Sequence, residues 1–364
     1  MRILIMGFSK IKYMPYLNFY LENIDRKNNE LHVLYWNRDM QKENVLEFLD
    51  CNFHEFRSFQ NDDECQINKI KNFLKYRAFA KKIINSFVFD FIIVLHTFPG
   101  ILISDILLKY FKGKYIYDYR DITYETFLPF KMLIGRIIAG AMVTFVSSNG
   151  FRKYLPQKYS NKIYTSHNIL IDSLNHRNDK QKYGIKSDKI RVAFWGFIRH
   201  KEINIALINK LSNDERFELH YYGREQQIVL ELKEYVKIIN ANNIFFHGEY
   251  KPEERYEFIK NTDIIHNLYY DTNMLLAMGN KYYDGIIFKI PQICMPKSFM
   301  SEVCEKYKVG ISISPHDELF ADKLENYIKS MQMNSFYENC DNALEHVLCE
   351  YQDGIKVIRS LTNS

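Results

Sequence analysis

Short apolar runs alternate with amphipathic stretches along almost the whole chain, and one polar stretch interrupts the alternation near the middle. The apolar runs Arg2–Met6, Leu31–Trp36, Phe91–His96, Tyr115–Tyr117 and Met142–Val146 are predicted strands. Pro15–Asn23, Ile67–Ile84 and Pro99–Phe111 carry helical spacing between them. Strands separated by helices cannot pair as tight hairpins, so the order predicts parallel sheets covered by helices.

The polar stretch Asn168–Lys189 lacks apolar periodicity and reads as a linker. Beyond it the pattern restarts with a strand at Ile190–Trp195 and a helix near Glu202–Leu211. Further strands follow at Phe217–Tyr222, Ile244–Phe246, Asp263–Asn267, Gln292–Met295 and Val309–Ile313. The predicted organisation is an α/β unit over 1–172, a linker over 173–189 and a second α/β unit over 190–345. Residues 346–364 are predicted to form a closing helix that packs back on the first unit. A length of 364 residues suits two such units. Open parallel sheets bind ligands beyond the carboxyl ends of their strands, so two facing sheets predict a site in the cleft between them.

Lys+Arg 49 against Asp+Glu 44 leaves only +5, too even for a surface devoted to nucleic acid. The six cysteines show no C-x-x-C pair, which argues against zinc and a disulfide framework and for thiols in a reducing cytoplasm. The apolar N-terminal run is too short for a secretory leader and reads as the first strand. The stretch 127–146 has the length of a membrane span, but Lys131 and Arg136 lie inside it. A helix to about Ala139 followed by a buried strand accounts for it better. Aromatic residues reach 15%, with Tyr 27 and Phe 27, from a compositional bias or from a site that stacks rings on a sugar or base. Phe91, Tyr115, Phe145, Phe217 and Phe246 are predicted core, whereas Phe8, Tyr13, Tyr119, Tyr124, Tyr250, Tyr269 and Tyr270 fall in predicted site loops.

Neither half carries G-x-G-x-x-G or a P-loop, which disfavours ordinary nicotinamide and ATP chemistry. The first strand ends in Gly7-Phe8-Ser9-Lys10. In the second half, three successive strands run into glycine-bearing loops. Gly196 leads to Arg199 and Lys201, Gly223 precedes Arg224, and His247-Gly248 precedes Tyr250. Cations before a helix suit a diphosphate, although a solvated loop would use the same residues. Asn280 and Lys281 begin a predicted helix on which Asp284 shares the face of Asn280. Amide and ammonium suit phosphate oxygens, and the carboxylate suits a ribose diol.

With these residues in view, the chain resembles the GT-B glycosyltransferases, above all the bacterial group-1 (GT4-like) enzymes of surface-polysaccharide assembly. AGAMVTFVSSNGFRKYLP, YTSHNILID, VAFWGFIRHKE and NKYYDGIIFKIPQI are the segments similar to that family's patterns. The resemblance implies two Rossmann-like domains, a UDP- or GDP-sugar donor and metal-independent transfer with no further cofactor. It implies a saccharide acceptor, lipid-linked at the inner face of a membrane, in capsule, O-antigen or exopolysaccharide synthesis. It assigns Arg199 and Lys201 to the diphosphate, with Gly196 in the same loop. Asn280 and Lys281 go to phosphates or sugar, Asp284 to the ribose, and Gly223, His247 and Tyr250 to the nucleotide pocket. Leu276 and Lys289 depart from the pattern, standing where the family has glutamate and glycine.

An acceptor hydroxyl needs a route for its proton, and YIYDYRDITYE offers Asp118 and Asp121 around Arg120. Asp121, further into the loop, is the first candidate base and His96 the second; in a retaining enzyme Asp121 would only position the acceptor. Gly7, Ser9, Tyr13, Asp118 and Tyr124 complete the predicted acceptor side. The segment KIKNFLKYRAFAKK is a basic amphipathic helix suited to an anionic membrane surface or to ordinary solvent. An epimerase or hydrolase acting on nucleotide sugars, or a non-catalytic subunit of the same fold, are the competing expectations.

Overall fold

The computed structural model describes residues 1–43, 50–61, 64–177 and 188–362. The chain divides into one unit of Met1–His167 with Cys349–Ser364 and another of Asn168–Leu348. Part of the predicted linker, 178–187, lies outside the described residues.

The first unit is built on seven parallel strands, β1 (Arg2–Met6), β2 (Glu30–Asn37), β3 (Cys51–Arg57), β4 (Phe91–Leu95), β5 (Tyr115–Tyr119), β6 (Val143–Val146) and β7 (Ile163–Thr165). Their order is β3-β2-β1-β4-β5-β6-β7. β4, β5 and β6 are buried at every position, as expected of central strands covered on both faces. The helices are α1 (Leu17–Leu21), α2 (Gln66–Ser86), α3 (Thr97–Leu102), α4 (Ser104–Tyr110) and α5 (Leu128–Gly140). The stretch 127–146 thus folds as α5 followed by β6. Among the described residues no helix is long and apolar enough to cross a membrane.

The second unit has six parallel strands, β8 (Ile190–Trp195), β9 (Phe217–Tyr222), β10 (Ile244–Gly248), β11 (Ile264–Asn267), β12 (Gln292–Cys294) and β13 (Gly310–Ser312). Their order is β10-β9-β8-β11-β12-β13. Around them lie α6 (Lys201–Leu211), α7 (Gln227–Ile238), α8 (Arg255–Lys260), α9 (Thr272–Leu276), α10 (Asn280–Phe288), α11 (Phe299–Tyr307) and α12 (Phe320–Ser330). In both sheets the order reverses beside the first strand, β1 or β8. Such a switch point opens a crevice at the carboxyl ends of the strands.

The last helix, α13 (Met333–Thr362), starts in the second unit, and its residues from Cys349 onward belong to the first. There Tyr351 packs on Phe19 with ring centroids 5.0 Å apart, and Arg359 donates to Asn23 Oδ1 at 3.0 Å.

The predicted helix Pro99–Phe111 is two helices, broken at Ile103. The sequence pattern misses two strands. β3 is a half-exposed edge strand whose alternation is diluted by Asn52, His54 and Glu55, and β7 has only three residues.

Candidate functional site

At the end of β4 the chain enters α3 through His96, whose φ of +83° is a conformation that non-glycine residues avoid. Holding it costs about 1–3 kcal/mol. Two bonds over-determine the turn: His96 N–H donates to Asp118 O (2.9 Å), and the Thr97 hydroxyl donates to Asp121 O (2.8 Å). The result is that His96 Nε2–H donates to Asp121 Oδ2 at 2.7 Å. The two residues offered separately by the sequence as bases are therefore one hydrogen-bonded pair. Asp121 is the more open member, its side chain 41% exposed against 23% for His96. Phe8 and Phe98 lie nearly parallel to the imidazole and confine it.

Asp118 differs from its neighbour. It is fully buried, accepting from Tyr20 Oη (2.7 Å) and from Arg120 (2.9 Å), while Arg120 also covers the Tyr16 ring. Expected on the acceptor side, Asp118 is instead a foundation beneath the β5 loop. Tyr119, placed by sequence among the loop rings, is buried with its hydroxyl on Glu125 (2.6 Å). Phe8 too is buried, against Trp36 and Tyr76, whereas Tyr13 and Tyr124 are exposed and Ser9 is half-buried. A Cβ on Gly7 would press on the thioether end of Met14, and the Gly7 carbonyl accepts from Tyr76 (2.7 Å).

In the second unit the three glycine loops are laced to one another. Gly196 N–H donates to Tyr222 O (2.9 Å), and Gly223 N–H donates to Gly248 O (2.8 Å). Gly196 has a φ of +116°, and a side chain on Gly223 would collide with the Gly196 carbonyl. Above this backbone ledge the exposed Phe197 ring carries two guanidinium groups, Arg199 at 4.9 Å and Arg224 at 5.7 Å from its centroid. Neither has a carboxylate partner among the described residues. Lys201, paired with Arg199 by the sequence argument, lies instead against Glu231 on α7 (2.5 Å) and does not join them. The reason is its place as the first residue of α6, which packs beside α7.

At the start of α10, Asn280 is exposed, while Lys281 is buried with its ammonium 4.0 Å from the Phe194 centroid and 5.3 Å from that of Tyr269. One turn on, Asp284 is buried, accepting from Trp195 Nε1 (2.8 Å), with Arg255 Nη1 3.6 Å from its other oxygen. Burial raises its pKa, and Arg255, the Trp195 bond and Lys281 oppose that shift. The expected ribose contact is thus a carboxylate held inward; an aspartate, one methylene shorter than glutamate, ends at the indole of Trp195. Tyr250 lies within reach of that charge, its pKa pushed up to about 12 by burial and then by Asp284. Trp195 and Arg255 are the site residues that sequence reasoning missed. Trp195 looks like the last residue of a core strand, and Arg255 like one more charge in KPEER.

His247 stands apart from this cluster. It stacks on Tyr222 (4.2 Å) and hydrogen bonds with His220 (3.0 Å), at the edge pair β9–β10. Tyr269 is buried at Lys281 and Tyr270 is exposed. Among the described residues no cluster of three or more His, Cys, Asp or Glu could hold a metal ion.

No family model matches the chain, and no curated protein matches its sequence. Solved structures do match its fold. Sucrose-phosphate synthase from Thermosynechococcus elongatus aligns with a TM-score of 0.73 at 12% identity, over 100% of this chain and 98% of that one. A glycosyltransferase from Rickettsia africae gives 0.66 at 13%, over 99% and 98%. UDP-GlcNAc 2-epimerase from Neisseria meningitidis, solved with UDP-GlcNAc bound, gives 0.56 at 10%, over 97% and 100%. At such identities the likeness is one of fold: α/β, two parallel sheets, GT-B.

Proposed function

We propose that this chain is a glycosyltransferase that moves a sugar from a UDP- or GDP-sugar to a saccharide acceptor. The observation that carries the reading is the His96–Asp121 pair (2.7 Å), held by a strained turn at the carboxyl edge of the first sheet. A carboxylate oriented by an imidazole is the equipment for taking a proton from a hydroxyl. Asp121, the more open of the two, takes the proton of the acceptor hydroxyl as the acceptor oxygen attacks the anomeric carbon and the bond from that carbon to the nucleoside diphosphate breaks. His96 keeps the carboxylate aimed and its charge compensated by a hydrogen bond.

The donor side rests on the second sheet. Arg199 and Arg224 offer guanidinium forks to a diphosphate, and Gly196 and Gly223 let it approach backbone. Lys281 at the start of α10 adds a third cation for the leaving nucleotide. No metal is required in this scheme, since three cations neutralise the developing charge. The acceptor, we propose, is lipid-linked and belongs to a cell-surface glycan, in keeping with the motif resemblance.

The test incubates the full chain with UDP- and GDP-sugars, with and without saccharide acceptors, following released nucleotide and sugar by NMR. Acceptor-dependent nucleotide release that Asp121→Asn abolishes is the expected result. Isomerised sugar formed without acceptor would replace transfer with epimerisation. Absence of any nucleotide-induced rise in melting temperature would overturn both in favour of a non-catalytic protein.

A further inference from the structure

We propose that the outward face of α2 is a docking surface for an anionic lipid bilayer. The 21 residues of α2 contain six cations and no Asp or Glu. Its inner side buries Tyr76, Ala80, Ile83 and Ile84 against the first sheet's layer, which leaves the opposite side to solvent. That side presents Ile67, Ile70 and Leu74, 67%, 55% and 59% exposed, at the three- and four-residue spacing of one helix face. Lys71, Lys75, Lys81 and Lys82 are exposed around this stripe, with no acidic partner among the described residues. Arg77, on the flank, is held by Asp105 (2.8 Å).

Charge and apolar stripe together select the partner. Nucleic acid would satisfy the lysines but leave Ile67, Ile70 and Leu74 in water. A zwitterionic membrane would take the apolar side chains and gain little from the lysines. An anionic bilayer rewards both, the side chains entering the headgroup boundary and the lysine stems reaching outward to lipid phosphates. At about 1.5 Å per residue, α2 lays roughly 30 Å of chain along such a surface. The inference does not rest on glycosyl transfer, because vesicle binding is read without donor or acceptor.

The full chain is sedimented with vesicles of phosphatidylcholine alone and of phosphatidylcholine mixed with phosphatidylglycerol. The expected result is binding to the mixed vesicles that weakens as salt is raised. Changing Lys71, Lys75 and Lys82 together to Gln should lower the partition coefficient on the order of a hundredfold, roughly fivefold per lysine. Changing Ile67, Ile70 and Leu74 together to Ser should lower it at least about tenfold. Both variants should melt like the parent, since the altered side chains face solvent. Equal binding to pure phosphatidylcholine, no binding at low salt, or unchanged binding by both variants would overturn the proposal. So would an equal loss of single-stranded RNA binding in the serine variant, which would mark a general polyanion surface.

Discussion

His96 and Asp121 come from neighbouring strand ends and meet at 2.7 Å only because His96 adopts a φ of +83°. An ordinary φ would turn the imidazole elsewhere, so the strained turn and the hydrogen bond are two aspects of one arrangement. Strain at a sheet's carboxyl edge, next to a half-open carboxylate, is where function offsets a cost in stability.

Replacing Asp121 by Asn keeps the shape and removes the base. Transfer should fall by about 10²–10⁴ in kcat with donor KM little changed, measured by nucleotide release with saturating acceptor. His96→Gln retains a donor with poorer aim and should lose less. His96→Gly relieves the backbone strain and should raise the melting temperature while transfer drops. A glycine variant that is both inactive and less stable would argue that the turn is ordinary structure.

Arg199 and Arg224 should each matter more to nucleotide binding than Lys201. A charge-assisted hydrogen bond contributes about 1.5–3 kcal/mol, so either arginine changed to Ala should weaken UDP or GDP binding roughly ten- to a hundredfold by calorimetry. Lys201 already forms an exposed ion pair with Glu231, and Lys201→Ala should leave affinity within about a factor of three. The reverse ranking would return the diphosphate to Lys201.

The strand–helix alternation was legible because periodicity reports burial directly, whereas the strand order, and with it the switch points, came only from the pairing of the strands. The three glycine loops were legible because successive parallel strands end on one edge. Side-chain direction was not. Lys201 and Arg199 are two residues apart, yet the start of α6 separates them, and Asp118 and Asp121 are three apart, yet the first is fully buried and the second open. Lys289 shows a departure being absorbed. It closes α10 with a φ of +58°, a place that favours glycine, and its ammonium is tied to Asp341 at 3.0 Å.

Asp284 joins the end of β8 to α10 through Trp195 and faces Arg255. Asp284→Ala leaves an indole N–H without its acceptor and a mostly buried guanidinium without its counter-charge, so the second unit should lose about 3 kcal/mol. Chemical denaturation checks this most simply in a Trp36→Phe background. The chain has Trp 2, and the remaining tryptophan, Trp195, then reports the second unit alone. A loss near zero would mean that the carboxylate is free to serve a ligand hydroxyl instead.

His266 on β11 makes the sharpest pH prediction. It is fully buried, stacked on Phe194 at 4.8 Å, with no hydrogen-bond partner on either ring nitrogen among the described residues. Burial, then the charge of Lys281, pushes its pKa down from 6.5 to about 3. The unfolded chain therefore takes up this proton first as pH falls. Stability from the neutral ring is complete above about 6.5 and is lost progressively from there towards pH 3. At roughly 1.4 kcal/mol per pH unit, the loss reaches about 2 kcal/mol by pH 5. His54, His220 and His247 also have lowered values and act with the same sign, so the test is a difference between two proteins. His266→Phe removes both unbonded nitrogens and should stabilise the second unit by about 1 kcal/mol at pH 7. Between pH 7 and 5 it should also lose about 2 kcal/mol less than the parent, by urea denaturation followed at Trp195. An identical pH dependence in the two proteins would mean that His266 is not held neutral by its burial.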